Sequence, residues 1–454
     1  MSLSASKKEF YQRLGLLAFP IMLQNLLVNS ASFIDTMMIG MVGQEALAAA
    51  GLANQMFFLI ALFFFGVCSG LTIFVSQYWG SQDIDSMHKV IGIALAIAVG
   101  GAFISSAVSL FFPQSLMRIF TDDPVVIQRG KEYLVVVAVS YLFTAVVMVF
   151  STALRSTTDA KSPLLISIVS MSVNIVFNYL LILGKFGFPR LEVKGAALAT
   201  ALARLVEMIL LLLRMYGKKS PVAAPWKSLI SFPKGLAKMY FITSFPVILN
   251  EMFWSFGITA YKIAYSRLGT EVIATINVSE AISSLFFVAL MGISNATAIM
   301  VGNKIGEDNL DEASVYARRL TFIAFGSGIG LGALLALFSS YLPLPFGLGA
   351  QAHLFTSRTL ISLGILMPIK SVNMVIIVGV LRSGGDTRYS MFTELFGVWL
   401  IGVPCAFAGA MLFHMPIHLL YLFVGLEEVF KFIVGVNRLK SGKWIRRIGS
   451  LQTT

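Results

Sequence analysis

Long apolar stretches alternate with short polar ones along almost the whole chain. A membrane crossing needs about 20 mainly apolar residues. By that measure the pattern predicts twelve crossings, near 14–38, 47–78, 90–112, 131–154, 163–184, 195–216, 239–266, 273–302, 317–342, 356–381, 389–412 and 415–436. Lipid offers the backbone no hydrogen-bond partner, so all twelve are expected to be helices. The second and eighth are long enough to tilt or to project beyond a bilayer.

The pattern is written twice. Shifted by about 226 positions, Phe19-Pro20 falls on Phe245-Pro246, Gly43 on Gly269, Glu45 on Glu271, Gly66 on Gly292 and Gly80 on Gly306. Further on, Leu154-Arg155-Ser156 with Asp159 returns as Leu381-Arg382-Ser383 with Asp386. The fold class expected is an all-α membrane protein of two pseudo-symmetric six-helix bundles. The expected division is an N-lobe over 1–217, a linker over 218–238, a C-lobe over 239–437 and a basic tail over 438–454. Each copy has an even number of crossings, so the copies share one orientation. The two lobes are expected to enclose a central cavity.

Composition agrees. Of 454 residues, 57% are hydrophobic and 12% charged, against about 25% charged in a soluble domain. The formal charge of +12 gathers at the termini and in the loops after even-numbered crossings, which places both termini in the cytoplasm of a multi-pass inner-membrane protein. Nucleic acid is not implied. The basic tail is expected either against anionic lipid or in solvent. Cys68 and Cys405 lie within apolar stretches and offer neither a disulfide framework nor a metal cluster. Phosphate-binding loops, nucleophile elbows and triads are missing from the sequence, so an enzyme is the weakest reading and ATP is not the direct energy source.

The sequence resembles the MATE family (multidrug and toxic compound extrusion), of the bacterial type, over roughly 14–437. The likeness rests on Phe19-Pro20, on Phe33-Ile34-Asp35-Thr36-Met37-Met38-Ile39-Gly40, on Leu47-Ala48-Ala49-Ala50-Gly51 and on Phe74-Val75-Ser76-Gln77-Tyr78-Trp79-Gly80. The doubled Leu-Arg-Ser motif and Asn174 with Asn178-Tyr179 add to it. The resemblance implies a secondary transporter that expels small molecules, often organic cations, in exchange for protons or sodium ions, and that acts as a monomer without a cofactor. A lipid-linked oligosaccharide flippase of the same superfamily is the alternative, and it calls for a large cationic cavity. A channel or receptor is disfavoured by the duplication.

Asp35 is the leading candidate site residue. A carboxylate at mid-helix costs about 2.5–3.5 kcal/mol on insertion scales, so it usually has a task. Neutral when protonated and ionised when cation-bound, it makes a switch, and the resemblance places an acid here. Asn174 and Asn178 stand one turn apart on one helix face and could ligate sodium or hold Asp35. Thr200 resembles a hydroxyl near the family's N-lobe ion site; ordinary polar glue between helices is an equal reading. Some relatives carry a second carboxylate where Asn178 stands, so this chain leans toward the proton.

In the second copy the family's C-lobe acids are missing, with Trp254 at one of their places. Glu251, Lys262, Glu280, Lys370 and Glu394 form a candidate C-lobe polar set. Lys262 is expected to pair with Glu280 or Glu394, since buried charges pair by default. Pro20 and Pro246 are expected to kink their helices, Pro20 about four turns before Asp35. Arg155-Asp159 and Arg382-Asp386 are expected to brace the cytoplasmic ends.

Overall fold

A computed structural model of the chain describes residues 3–448, with side chains from residue 8 onward. Eleven helices among them are long and apolar enough to cross a membrane. They are α1 (Leu3–Gly40), α2 (Gln44–Gly80), α3 (Ile84–Phe111), α4 (Pro124–Ser156), α5 (Lys161–Leu183) and α6 (Glu192–Gly217). Then follow α7 (Lys234–Ser266), α8 (Thr270–Gly306), α9 (Leu310–Leu337), α10 (Ala350–Leu381) and α11 (Thr387–Leu412). The twelfth crossing, α12, is built from two consecutive helices, Ile417–Val424 and Leu426–Ser441, joined at Gly425. The all-helical, twelve-crossing expectation holds.

Local chemistry sets the helix ends, and it repeats. The turns into α2 and α8 contain Gly43 and Gly269 at φ 146° and 107°, values that L side chains rarely adopt. Asp83 caps α3 by accepting from the Ser86 amide, and Asn309 caps α9 by accepting from the Glu312 amide. Pro20, Pro246 and Pro368 lie inside α1, α7 and α10. Each lacks the N–H that would bond to the carbonyl four residues earlier. Pro404 lies in α11 between two π-helical stretches, Phe396–Gly402 and Ala408–Leu412. Another π stretch, Val375–Leu381, ends α10.

The chain forms two compact units, and their limits differ from those of the sequence repeat. One unit runs from Leu23 to Phe241. The other joins the start of the chain, up to Met22, to everything from Ile242 on. Aromatic packing explains where the opening turns of α1 belong. Phe10 is fully buried and stacks edge-on against Tyr316 of α9, ring centres 4.9 Å apart. Gly292 of α8 leaves the room that Ala18 and Met22 occupy; a Cβ there would lie 2.0 Å from Met22 Cγ. Conversely, Tyr240 near the start of α7 stays with the first unit, donating its hydroxyl to the Val67 carbonyl at 2.7 Å.

In the first unit, α4 packs against α2, α3 and α6, and α5 lies along α6. In the second, α10 packs against α8, α9 and α12. Gly332 and Gly364 bring α9 and α10 into backbone contact; a Cβ on Gly332 would stand 2.3 Å from the Gly364 carbonyl oxygen. Small residues serve helix association in lipid in this way.

Each unit also carries a strap after its sixth helix. In the linker, Val222 and Ala224 are fully buried, and the short helix Trp226–Leu229 seats its backbone on Gly92 of α3. At the end of the chain, Trp444 is 1% exposed and presses on Gly384 in the α10–α11 loop. The Arg446 amide donates to the Gly384 carbonyl at 2.8 Å. Trp444 and Ile448 thus seat the tail on the protein, while its basic side chains Lys440, Lys443, Arg446 and Arg447 stay exposed; the rest of it, 449–454, lies outside the described residues.

Candidate functional site

Three polar stripes meet in the first unit. On α1, Gln24 and Asp35 are eleven residues apart, three turns, and so share a face. On α5, Ser167, Ser170, Asn174 and Asn178 recur at helical spacing, and all four are buried. On α6, Thr200, Arg204 and Glu207 do the same. Apolar surroundings leave such groups only one another as partners.

Asp35 is half-buried, and its carboxylate accepts from the side-chain nitrogen of Asn178. The same nitrogen donates to Asn174 Oδ1 at 3.2 Å. Asn178 is fully buried, and its amide oxygen has no hydrogen-bond partner among the described residues. Arg204, a cation on the same seam, is held by Glu207 at 2.7 Å. The structure thus brings Asp35, Asn174 and Asn178 together. Thr200 is half-buried on the same face of α6, outside their hydrogen-bonded set.

Below this triad runs a chain of contacts that sequence reasoning missed. Glu207 accepts from Ser167 at 2.9 Å, Ser167 accepts from Gln24 Nε2 at 2.9 Å, and Gln24 Oε1 accepts from Arg155 at 3.2 Å. The signal was the i, i+3, i+7, i+11 series of Ser and Asn on α5, legible as one polar face. Arg155 turns inward to Gln24 and Thr152 and leaves Asp159, which instead meets Arg214 at 3.8 Å. Likewise Asp386 is held by Arg438 at 2.7 Å and Arg446 at 2.9 Å, while Arg382 turns inward. The expected braces exist with other arginines, because the motif arginines are drawn to buried acceptors.

In the second unit the five candidate residues separate into three places. Arg382, 2% exposed, reaches Glu251 at 2.8 Å and Glu394 at 3.5 Å, and Asn250 donates to Glu394. Lys262 pairs with Glu280 at 2.8 Å, as expected, in a half-exposed position. Lys370 stands apart from both pairs. Beside it is a network the sequence reading did not assemble. Lys431 lies 3.6 Å from Glu427 and 3.8 Å from Glu428. Tyr261 donates to Glu427 at 2.5 Å, and Asn373 to Glu428 at 2.7 Å.

A cavity of about 580 Å³ opens at the other end of the first unit, lined by Gln128, Arg129, Glu132, Arg190, Glu192 and Lys194. Its charges are matched: Arg129 to Glu192 at 2.9 Å and Lys194 to Glu132 at 3.7 Å. It holds no unpaired charge comparable with Asp35.

Known proteins share this architecture. The chain is 26% identical to the uncharacterized transporter YisQ of Bacillus subtilis (strain 168), over 95% of its own length and 94% of that protein's. It is 25% identical to the probable multidrug resistance protein NorM of Thermotoga maritima, over 97% and 94%. The crystal structure of the Vibrio cholerae MATE transporter VcmN in the bent form superposes with a TM-score of 0.87, at 16% identity, covering 97% of this chain and all of that one. The MatE family model matches twice, over 20–180 and 246–408, in step with the internal repeat, and the chain belongs to the MatE family.

Proposed function

We propose that this chain is a secondary active multidrug exporter of the inner membrane, with both termini cytoplasmic, that works as a monomer by alternating access. It antiports organic, mainly cationic, molecules against an inward-moving cation, with Asp35 as the coupling group. The observation that carries this reading is the buried amide oxygen of Asn178, unpartnered beside the Asp35 carboxylate. A protonated Asp35 would supply that acceptor with an O–H donor; a bound cation would take both oxygens as ligands. Substrate binding and cation binding would then compete for one charge.

The proton is the favoured ion. Sodium binding gains from several anionic ligands, and here one carboxylate stands among neutral amides, with Glu207 committed to Arg204. The energetics suffice. One proton crossing ~150 mV releases ~3.5 kcal/mol, at about 2.3 kcal/mol per 100 mV. That supports a gradient of a few hundredfold, at about 1.4 kcal/mol per tenfold. The names of the relatives, multidrug resistance proteins among them, favour export of drugs. A flippase would need a broad cationic chamber, and of the mid-crossing cations Arg204 and Lys262 are neutralised by pairing.

The test is dye export from proteoliposomes with a pH gradient and a sodium gradient imposed separately, for the native chain and Asp35→Asn. Equal export by both proteins under either gradient would sink the assignment of Asp35.

A further inference from the structure

The linker after α6 holds Lys218, Lys219, Lys227, Lys234 and Lys238, and no acid stands between Lys218 and Asn250. All these lysines are exposed, and none of them meets an acid among the described residues. Acids at the same end of the first unit have other partners. Asp83 caps α3, Asp85 pairs with Lys89, and Asp159 meets Arg214. Interleaved with the lysines are apolar side chains that the fold leaves uncovered. Trp226 is 73% exposed, Ile230 53% and Phe232 49%.

The strap is nevertheless fixed in place. Tyr216 donates to the Ala224 carbonyl at 2.9 Å, His88 Nε2 lies 2.7 Å from the Pro221 carbonyl oxygen, and Val222, Ala224, Leu229 and Leu236 are buried. Its seats on α3 are His88 and Gly92, one and two turns past the first residue of that helix, so the strap runs along the helix flank rather than beyond its end. With 28 residues, α3 is about 42 Å long, against a hydrocarbon core of about 30 Å. The surplus of ~12 Å equals the two turns that carry the strap, which is headgroup depth. Water penalises Trp226, Ile230 and Phe232 exposed together in one segment. A headgroup layer takes the indole ring and its apolar neighbours, and it offers phosphates to the lysines.

We propose that the linker strap is a binding site for anionic phospholipid headgroups. The lysines would grip the phosphates, and Trp226, Ile230 and Phe232 would enter the boundary between headgroups and acyl chains. Because buried anchors hold the backbone, the site is formed before the lipid arrives. It goes beyond the exporter reading and has no part in the Asp35 switch.

The experiment reconstitutes the full chain in phosphatidylcholine containing a minor fraction of phosphatidylglycerol, with brominated acyl chains on one lipid or the other. Bromine quenches nearby tryptophan, and subtracting the signal of Trp226→Phe isolates the share of Trp226. The native chain is expected to favour phosphatidylglycerol about fivefold at this position, the worth of one lysine at an anionic surface. Raising the salt to about 1 M is expected to bring the ratio toward one without any substitution. Replacing Lys218, Lys219, Lys227 and Lys234 together by Gln is expected to do the same while leaving quenching by brominated phosphatidylcholine intact. Replacing Lys440 and Lys443 of the tail is expected to leave the ratio unchanged. Equal quenching by the two lipids in the native chain, or a preference that survives both salt and the four substitutions, overturns the proposal. So does a Trp226 quenched by neither lipid, which would mean that the strap faces water and serves a soluble partner.

Discussion

Asn178 of α5 gives its side-chain nitrogen to Asp35 of α1, 143 positions earlier in sequence, and keeps its own amide oxygen buried and unsatisfied. A hydrogen bond to a charged group is worth about 1.5–3 kcal/mol, so this pairing fixes how readily Asp35 holds its charge.

Asp35→Asn is therefore expected to fold and to lose gradient-driven export. Asn178→Ala, which removes one charge-assisted bond, is expected to slow export about tenfold. Asn178→Asp supplies a second acid and is expected to shift the response from a pH gradient toward a sodium gradient. Initial rates of dye export under each gradient check all three.

Pro20 leaves the Leu16 carbonyl in α1 without its helical donor. If bending at that point accompanies the cycle, Pro20→Ala lowers maximal turnover several-fold and changes substrate binding little. Measuring turnover at saturating dye beside equilibrium binding separates the two. Unchanged turnover means that Pro20 has no part in the cycle.

Arg382 places its guanidinium between Glu251 and Glu394, and no other arginine among the described residues reaches either acid. Replacing it by Met leaves two facing carboxylates and is expected to cost about 3–5 kcal/mol. Glu251→Gln leaves Arg382 paired with Glu394 and is expected to cost about 1 kcal/mol. Thermal unfolding in detergent gives the ranking. A reversed order would mean that Arg382 is held by something other than these acids.

Trp444 anchors the strap at the end of the chain. Trp444→Ala is expected to destabilise the second unit by about 3–5 kcal/mol. Gly384→Ala, whose Cβ would stand 2.3 Å from the Trp444 carbonyl, is expected to lift the same strap by crowding. Limited proteolysis near Ser441 reports its release, and both variants are expected to be cut faster than the native chain.

Much of this was legible in the sequence. Twelve apolar runs, the repeat, and Asp35 with Asn174 and Asn178 follow from hydropathy, spacing and the cost of a charge in lipid. What escaped depends on how helices turn toward each other. Glu427, Glu428 and Lys431 were visible as charges, yet their union with Tyr261 and Asn373 is a meeting of three helices. Arg155 and Asp159 were expected to pair because the couple recurs at the matching place as Arg382 and Asp386; the buried acceptors Gln24 and Thr152 draw the arginine inward instead, and Asp159 meets Arg214. The strap carried a basic signature that reads equally as lipid-seeking or solvated. Only the small room at Gly384 and the acid at Asp386 explain its docking.

The placement of Phe10 against Tyr316 has a bearing on biogenesis. The first turns of the nascent chain enter the membrane long before the helix that will cover them has been translated. Tyr240 completes the earlier unit only after the inter-lobe segment has been made. A gene cut at that segment would yield two fragments, each missing a piece of its own interior. Neither is expected to accumulate alone, and production of both in one cell is expected to rescue them as an inseparable pair.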